Sequence, residues 1–205
     1  MIQLFLVRHG LTEWNLTNRF QGWSDVPMNS EGYNQVGKLA KQLSGIQFAA
    51  VYSSDLCRAA QTAELIIAQS EHQHTPLVVQ KCFDLREISF GDWEGLTFQD
   101  ISQSDPEAVN HWVNGLDTFN PPGGESLAQL AERMKKFTKE LLGNFSPDMV
   151  TQPILLVAHG GSLQLLLCLF LGVSIERYWQ FHIEPASLSE LQIYPEGAIL
   201  NRLNV

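Results

Sequence analysis

The sequence predicts an α/β protein: a three-layer α/β/α sandwich around a mostly parallel sheet, in one domain over residues 1–205, with a small cap inserted at about 84–124. Three observations predict it. Short apolar runs alternate with amphipathic ones, the pattern of βαβ units with helices on both faces of a sheet. At 205 residues, 44% hydrophobic and 17% charged, the chain can bury a sizeable core. No internal repeat, low-complexity tract or linker divides it.

Residues 4–7 read as a buried strand. Ser30 begins a helix with Tyr33, Val36, Leu39, Ala40 and Leu43 on its apolar side. Residues 49–53 form a second strand, followed by a helix over about 55–68 that Ser54 or Asp55 caps. Residues 76–80 suggest a third strand. The stretch 84–124 is rich in Asp, Gly, Trp and Pro, with one short helix at 106–113, and is read as the cap. After Pro121-Pro122-Gly123-Gly124 comes the clearest helix, with Leu127, Leu130, Met134, Phe137 and Leu141 on one stripe and a charged face read as solvated. Residues 154–157 are another buried strand. The tail, 187–194 and 198–203 around Pro195-Glu196-Gly197, alternates like a hairpin at a sheet edge.

A net charge of −9 argues against nucleic acid or an anionic membrane as partner, so an anionic ligand needs local cations. Cys57, Cys82 and Cys168 are widely spaced, which suits small core residues in a reducing compartment better than a disulfide framework or a zinc site. The chain starts in a strand with no room for a signal peptide, and its most apolar stretch, 163–171, falls short of the ~20 residues that span a bilayer. The expectation is a cytoplasmic protein.

Two buried strands, "LFLVRHG" and "ILLVAHG", both end in His-Gly. Sites in parallel sheets form beyond the carboxyl ends of strands, so His9 and His159 are expected side by side, with Gly10 and Gly160 letting a ligand approach the backbone. In "YSSDLCRAAQTAELI", Arg58 falls in the first turn of a helix, where a cation opposes the dipole unless an anion is near. Helix N-terminus and guanidinium together suit a phosphate. Arg8, Arg58, His9 and His159 would then converge on one small anion. A P-loop, a GxSxG elbow and a GxGxxG fingerprint are absent, and the one close histidine pair, His72 and His74, reads as solvated loop. The nucleophile is therefore one of the histidines. A phosphoenzyme would split a very high barrier into two lower ones.

In order along the chain, "LVRHGLTEWN", "RFQGWSDVPMNSEG", "YSSDLCRAAQTA", "LREISFGDWEG", "PPGGESL" and "VAHGG" resemble the histidine phosphatase (phosphoglycerate mutase-like) superfamily, nearest its alpha-ribazole phosphatase and broad-specificity branch. The resemblance implies that His9 accepts the phosphoryl group while Arg8, Arg58 and His159, with Gly160, grip its oxygens. It also implies that Glu87 is the proton donor, whereas spacing alone would make Glu87 a surface carboxylate. Asn15, Gln21 and Gly22 match positions lining the family's phosphate pocket. No metal and no cofactor is implied, and a homodimer is left open.

Mutases of this kind carry a longer basic, tyrosine-rich insertion after the "WEG" block, but residues 92–124 here contain neither Lys nor Arg. Hydrolysis of a small-molecule phosphomonoester is therefore expected. Trp93, Phe98, Trp112 and Phe119 suit an apolar leaving group or, more simply, pack a cap core. The expected substrate is alpha-ribazole 5'-phosphate of cobalamin biosynthesis. The alternatives are a phosphoglycerate mutase, a broad-specificity sugar-phosphate or phosphoserine phosphatase, and a non-catalytic protein that binds a phospho-ligand.

Overall fold

The computed structural model describes residues 1–70, 77–114, 119–145 and 151–205. Six strands form one sheet in the order β3-β2-β4-β1-β5-β6. Strands β1 (Ile2–Arg8), β2 (Ala50–Ser54), β3 (Val79–Cys82) and β4 (Ile154–Ala158) are parallel; β5 (Leu188–Tyr194) runs antiparallel to β1, and β6 (Gly197–Arg202) closes the edge as a hairpin. Every residue of β2 and β4 is buried, as expected of strands covered on both faces. Alternate side chains of β1 and β4 feed two cores. Leu4, Leu6, Ile154 and Leu156 pack with Leu130, Met134, Leu163 and Leu166. Phe5, Val7, Leu155 and Val157 pack with Val36, Leu39, Ala59 and Ala63. These are the two interfaces of a three-layer sandwich.

A short turn of helix, α1 (Glu13–Leu16), follows β1 and is closed by a Thr12–Asn15 capping box. Helix α2 (Ser30–Gln42) starts where its apolar spacing predicts, with Asn29 as its cap, but Tyr33 lies 41% exposed and donates to Gln61 instead of packing. Helix α3 (Cys57–Ala68) begins later than expected, and neither Ser54 nor Asp55 caps it. Leu56 is the cap residue, and the Asp25 carboxylate, from a distant loop, accepts from the Cys57 N–H at 2.7 Å. Asp55 is drawn away by Arg86, which it grips through both oxygens at 2.6 and 2.7 Å.

Between β3 and the sixth helix lie two 3₁₀ turns and the helices α4 (Phe98–Ser104) and α5 (Pro106–Asn114). Only α5 is legible from apolar spacing; α4 is marked by a Thr97–Asp100 capping box. Trp93, Ile101 and Ala108 form a small separate core, joined by Phe20, Phe90, Trp112 and Phe119. The aromatics of this stretch therefore pack mainly on each other, while Phe98 remains 48% exposed. Helix α6 (Leu127–Asn144) buries the whole predicted stripe. Helix α7 (Gly160–Leu171) is apolar on all sides and lies in the interior, which is why no amphipathic period marks it.

Of the three free thiols only Cys168 is buried; Cys57 and Cys82 are partly exposed, so the core reading holds for one of them. Among the described residues no helix is long and apolar enough to cross a membrane, and no group of three or more His, Cys, Asp or Glu could hold a metal ion. His72 and His74 lie outside the described residues, as does the start of the expected third strand.

Candidate active site

The register of β1 on β4 pairs Arg8 with Ala158, and the His9 N–H donates to the Ala158 carbonyl at 3.0 Å. His9 and His159 therefore leave the sheet side by side, their ring centroids 5.0 Å apart, both buried. The two rings carry their protons on different nitrogens. His9 Nδ1 lies 2.8 Å from the Gly10 carbonyl oxygen, which can only accept, so Nδ1 holds the hydrogen and Nε2 keeps a free lone pair. His159 Nδ1 receives the Arg58 Nε–H at 3.2 Å, which places the His159 proton on Nε2. Burial, then the charges of Arg58 and Arg8, hold the His9 pKa well below the usual imidazole value. Burial and Arg58 act on His159 in the same direction.

Arg58 is 1% exposed and reaches the site by its side chain. Its terminal nitrogens donate to the Ser24 and Gly22 carbonyls, each at 2.8 Å, leaving two of its five N–H groups over. Arg8 donates through Nη1 to the Ile183 carbonyl at 2.6 Å. Among the described residues, Arg8 Nε and His159 Nε2 are buried with no partner. A buried donor left unpaired costs about 1–3 kcal/mol, so each marks a place for an acceptor. Both guanidinium pKa values are lowered by burial, which the charge of Glu87 opposes.

The carboxylate of Glu87 is not at the surface alone. It accepts from the Ile88 N–H at 3.0 Å and from the first turn of α7, Gly161 N–H at 2.9 Å and Ser162 N–H at 3.0 Å. The first turn of α7 is thus engaged by a carboxylate of the protein itself, as the Cys57 N–H at the start of α3 is by Asp25. The two glycines differ in their surroundings. A Cβ on Gly10 would fall 2.6–2.8 Å from Met28 Sδ, the Gly32 carbonyl oxygen and Val36, so the space there belongs to the protein's own packing, whereas one on Gly160 would fall 3.3 Å from Arg8 Cζ, against the guanidinium of the site.

The family model for the histidine phosphatase superfamily (branch 1) matches residues 4–205. The chain belongs to that superfamily. It is 32% identical over 203 residues to the adenosylcobalamin/alpha-ribazole phosphatase of Escherichia coli K12, covering 99% of this chain and 96% of the relative. It is also 32% identical over 205 residues to phosphoserine phosphatase 1 of Hydrogenobacter thermophilus, covering 100% and 93%. Among solved structures, the alpha-ribazole phosphatase of Shigella flexneri superposes with a TM-score of 0.89 at 30% identity, over 100% of this chain and 96% of the other. A mycobacterial glucosyl-3-phosphoglycerate phosphatase complexed with VO3 superposes with a TM-score of 0.87 at 30% identity, over 100% of both.

In this histidine phosphatase the residues expected to line the phosphate pocket serve partly as scaffolding. Asn15 Oδ1 accepts from the Thr12 N–H and lies 3.0 Å from its hydroxyl, which also lies 3.0 Å from Gln21 Oε1. Gly22 contributes its carbonyl to Arg58. Two acidic residues that local spacing did not single out hold this wall in place. Glu94, in the "WEG" block, accepts from the backbone N–H groups of Trp23, Ser24 and Phe90 and from the Ser24 hydroxyl, at 2.6–3.2 Å. Glu125, in "PPGGESL", accepts from the Ser89 N–H and pairs with Arg133. Arg133 corrects the reading of α6, whose charged face is not wholly solvated: this guanidinium turns inward onto the Glu87 segment.

Proposed function

We propose that the chain hydrolyses small-molecule phosphomonoesters through a phosphohistidine on His9, needing no metal. The observation that carries this is the pair of unpartnered buried donors, Arg8 Nε–H and His159 Nε2–H, beside an imidazole whose Nε2 lone pair is free. In the first half-reaction His9 Nε2 attacks phosphorus in line. The N–P bond forms, the bond to the ester oxygen breaks, and Glu87 delivers a proton to that oxygen. Arg8, Arg58, His159 and the start of α7 at Gly160 stabilise the charge spread over the equatorial oxygens. In the second, the Glu87 carboxylate takes a proton from water as the water oxygen attacks phosphorus, the N–P bond breaks, and phosphate leaves. Residues 84–124, with their separate small core, act as the cap over the leaving group.

The favoured substrate is alpha-ribazole 5'-phosphate. Residues 92–124 offer no Lys or Arg to hold the carboxylate of phosphoglycerate or phosphoserine, and two of the compared proteins bear alpha-ribazole phosphatase names. The equally similar phosphoserine phosphatase supports a second reading, a phosphoserine phosphatase.

His9→Ala is expected to abolish p-nitrophenyl phosphate hydrolysis and the trapping of acid-labile phosphate on the protein. Turnover is expected to persist in excess EDTA. Substantial residual activity in the variant, or strong inhibition by the chelator, would refute the mechanism. Ranking alpha-ribazole 5'-phosphate against phosphoserine and 3-phosphoglycerate by kcat/KM decides the substrate, and faster formation of 2-phosphoglycerate than of phosphate would make the protein a mutase.

A further inference from the structure

The segment that carries Glu87 has no regular secondary structure from Glu87 to Phe90, so its carbonyls and N–H groups need partners from elsewhere. Arg133 takes the Glu87 carbonyl and, paired with Glu125, ties down the backbone on either side of it. Its side chain is 9% exposed, and each of its five N–H donors is engaged. Nη1 donates to the Asp84 and Arg86 carbonyls, each at 2.7 Å; Nη2 donates to the Glu87 carbonyl at 2.7 Å and to Glu125 Oε2 at 2.9 Å; Nε donates to Glu125 Oε1 at 2.9 Å. Glu125 Oε2 in turn accepts from the Ser89 N–H at 3.0 Å. One ion pair thus grips the backbone on both sides of Glu87. A saturated guanidinium has no donor left for a substrate, so Arg133 cannot serve as an anion ligand. The Glu87 carbonyl has one further donor, the Trp23 indole N–H at 2.9 Å.

We propose that Arg133, oriented by Glu125, is a positioning residue that sets the aim of the Glu87 carboxylate toward the leaving oxygen. The proposal rests on the reading of Glu87 as the proton donor. Proton delivery tolerates little displacement, since a shift of about 1 Å can cost on the order of 10²-fold, and the backbone anchor lies only a side chain away from the acid. Lysine keeps the charge but not the fork, so it cannot hold three carbonyls and a carboxylate together.

The test is kcat/KM along an aryl phosphate series, because this constant covers phosphoryl transfer to His9 and not the later hydrolysis of the phosphohistidine. Phenyl phosphate expels phenolate, a poor leaving group that needs a proton, whereas 2,4-dinitrophenyl phosphate expels a weakly basic phenolate that does not. Arg133→Lys and Glu125→Gln are expected to lose on the order of 10- to 100-fold on phenyl phosphate and less than about three-fold on the dinitrophenyl ester, with KM little moved. Glu87→Ala is the reference and should show the same selectivity more strongly. Trp23→Phe removes only the second donor to the Glu87 carbonyl and should shift the series in the same direction, which keeps the test valid if the Arg133 variant does not fold. Uniform loss across the series, or no loss, in these variants while Glu87→Ala remains selective would overturn the positioning role. Uniform loss in Glu87→Ala itself would instead overturn the acid assignment, and this proposal with it.

Discussion

In-line attack on phosphorus needs an imidazole that is neutral and whose reactive nitrogen carries a lone pair, and the surroundings of His9 supply both. The Gly10 carbonyl holds the proton on Nδ1, while burial and two guanidinium groups disfavour the cation. His159 is kept neutral in the same way, with the opposite nitrogen protonated. Both folded-state values lie well below 6.5, so the unfolded chain binds more protons once the pH falls beneath that figure. Their contribution to stability is complete above about pH 6.5 and is lost as the pH falls toward the depressed folded values. The wild-type unfolding temperature should therefore fall more steeply from about pH 7 to 5 than that of a His9→Gln, His159→Gln double variant; equal slopes would contradict the assignment. At this scale the sequence reveals which residue types stand at the strand ends, but not which nitrogen bears the proton. That depends on a carbonyl and a guanidinium placed by the fold.

At the scale of elements, two glycines next to the strand ends should respond differently to alanine. A Cβ on Gly161 would meet Glu87 Oε1 at 2.6 Å, the tip of a flexible side chain that can swing away. Gly161→Ala should change stability by no more than about 1 kcal/mol yet lower kcat/KM by on the order of ten-fold, because the carboxylate is pushed off the first turn of α7. A Cβ on Gly10 would meet the Gly32 carbonyl oxygen and Val36 Cγ2, both at 2.8 Å, and α2 cannot withdraw cheaply. Gly10→Ala should cost about 1–3 kcal/mol. Urea unfolding and steady-state kinetics on both variants check the contrast, and a stable but impaired Gly10→Ala would reverse it. The apolar stripes of α2 and α6 were readable because an amphipathic surface helix advertises its buried face. The cap of α3 was not, because Asp25 belongs to a different loop, and Arg133 was hidden on α6 because a charge on the polar side of a stripe looks solvated until the neighbouring loop covers it.

For the whole molecule, the sheet order puts β1 beside β4 and brings two distant His-Gly pairs side by side. An anion that fills the orphaned donors should stabilise the fold by mass action. Orthovanadate at 100 times its Kd should raise the unfolding free energy by about 2.7 kcal/mol, and Arg8→Lys or His159→Ala should lose most of that gain; an undiminished shift would place the anion elsewhere. The sequence by itself determined the layer order, the buried strands β1, β2 and β4 with the residues delivered at their ends, and the family, because periodicity and ordered motifs are local and survive without coordinates; the third strand, expected at 76–80, lies at Val79–Cys82. Only the tertiary structure decided what each of those residues does to its neighbours. Arg8 finds its acceptor 175 positions away at Ile183, Glu87 reaches α7 across 74 and 75 positions, and Arg133 grips Glu87 across 46. Hydrogen bonds over such separations are fixed by how the chain packs, and no local spacing encodes them.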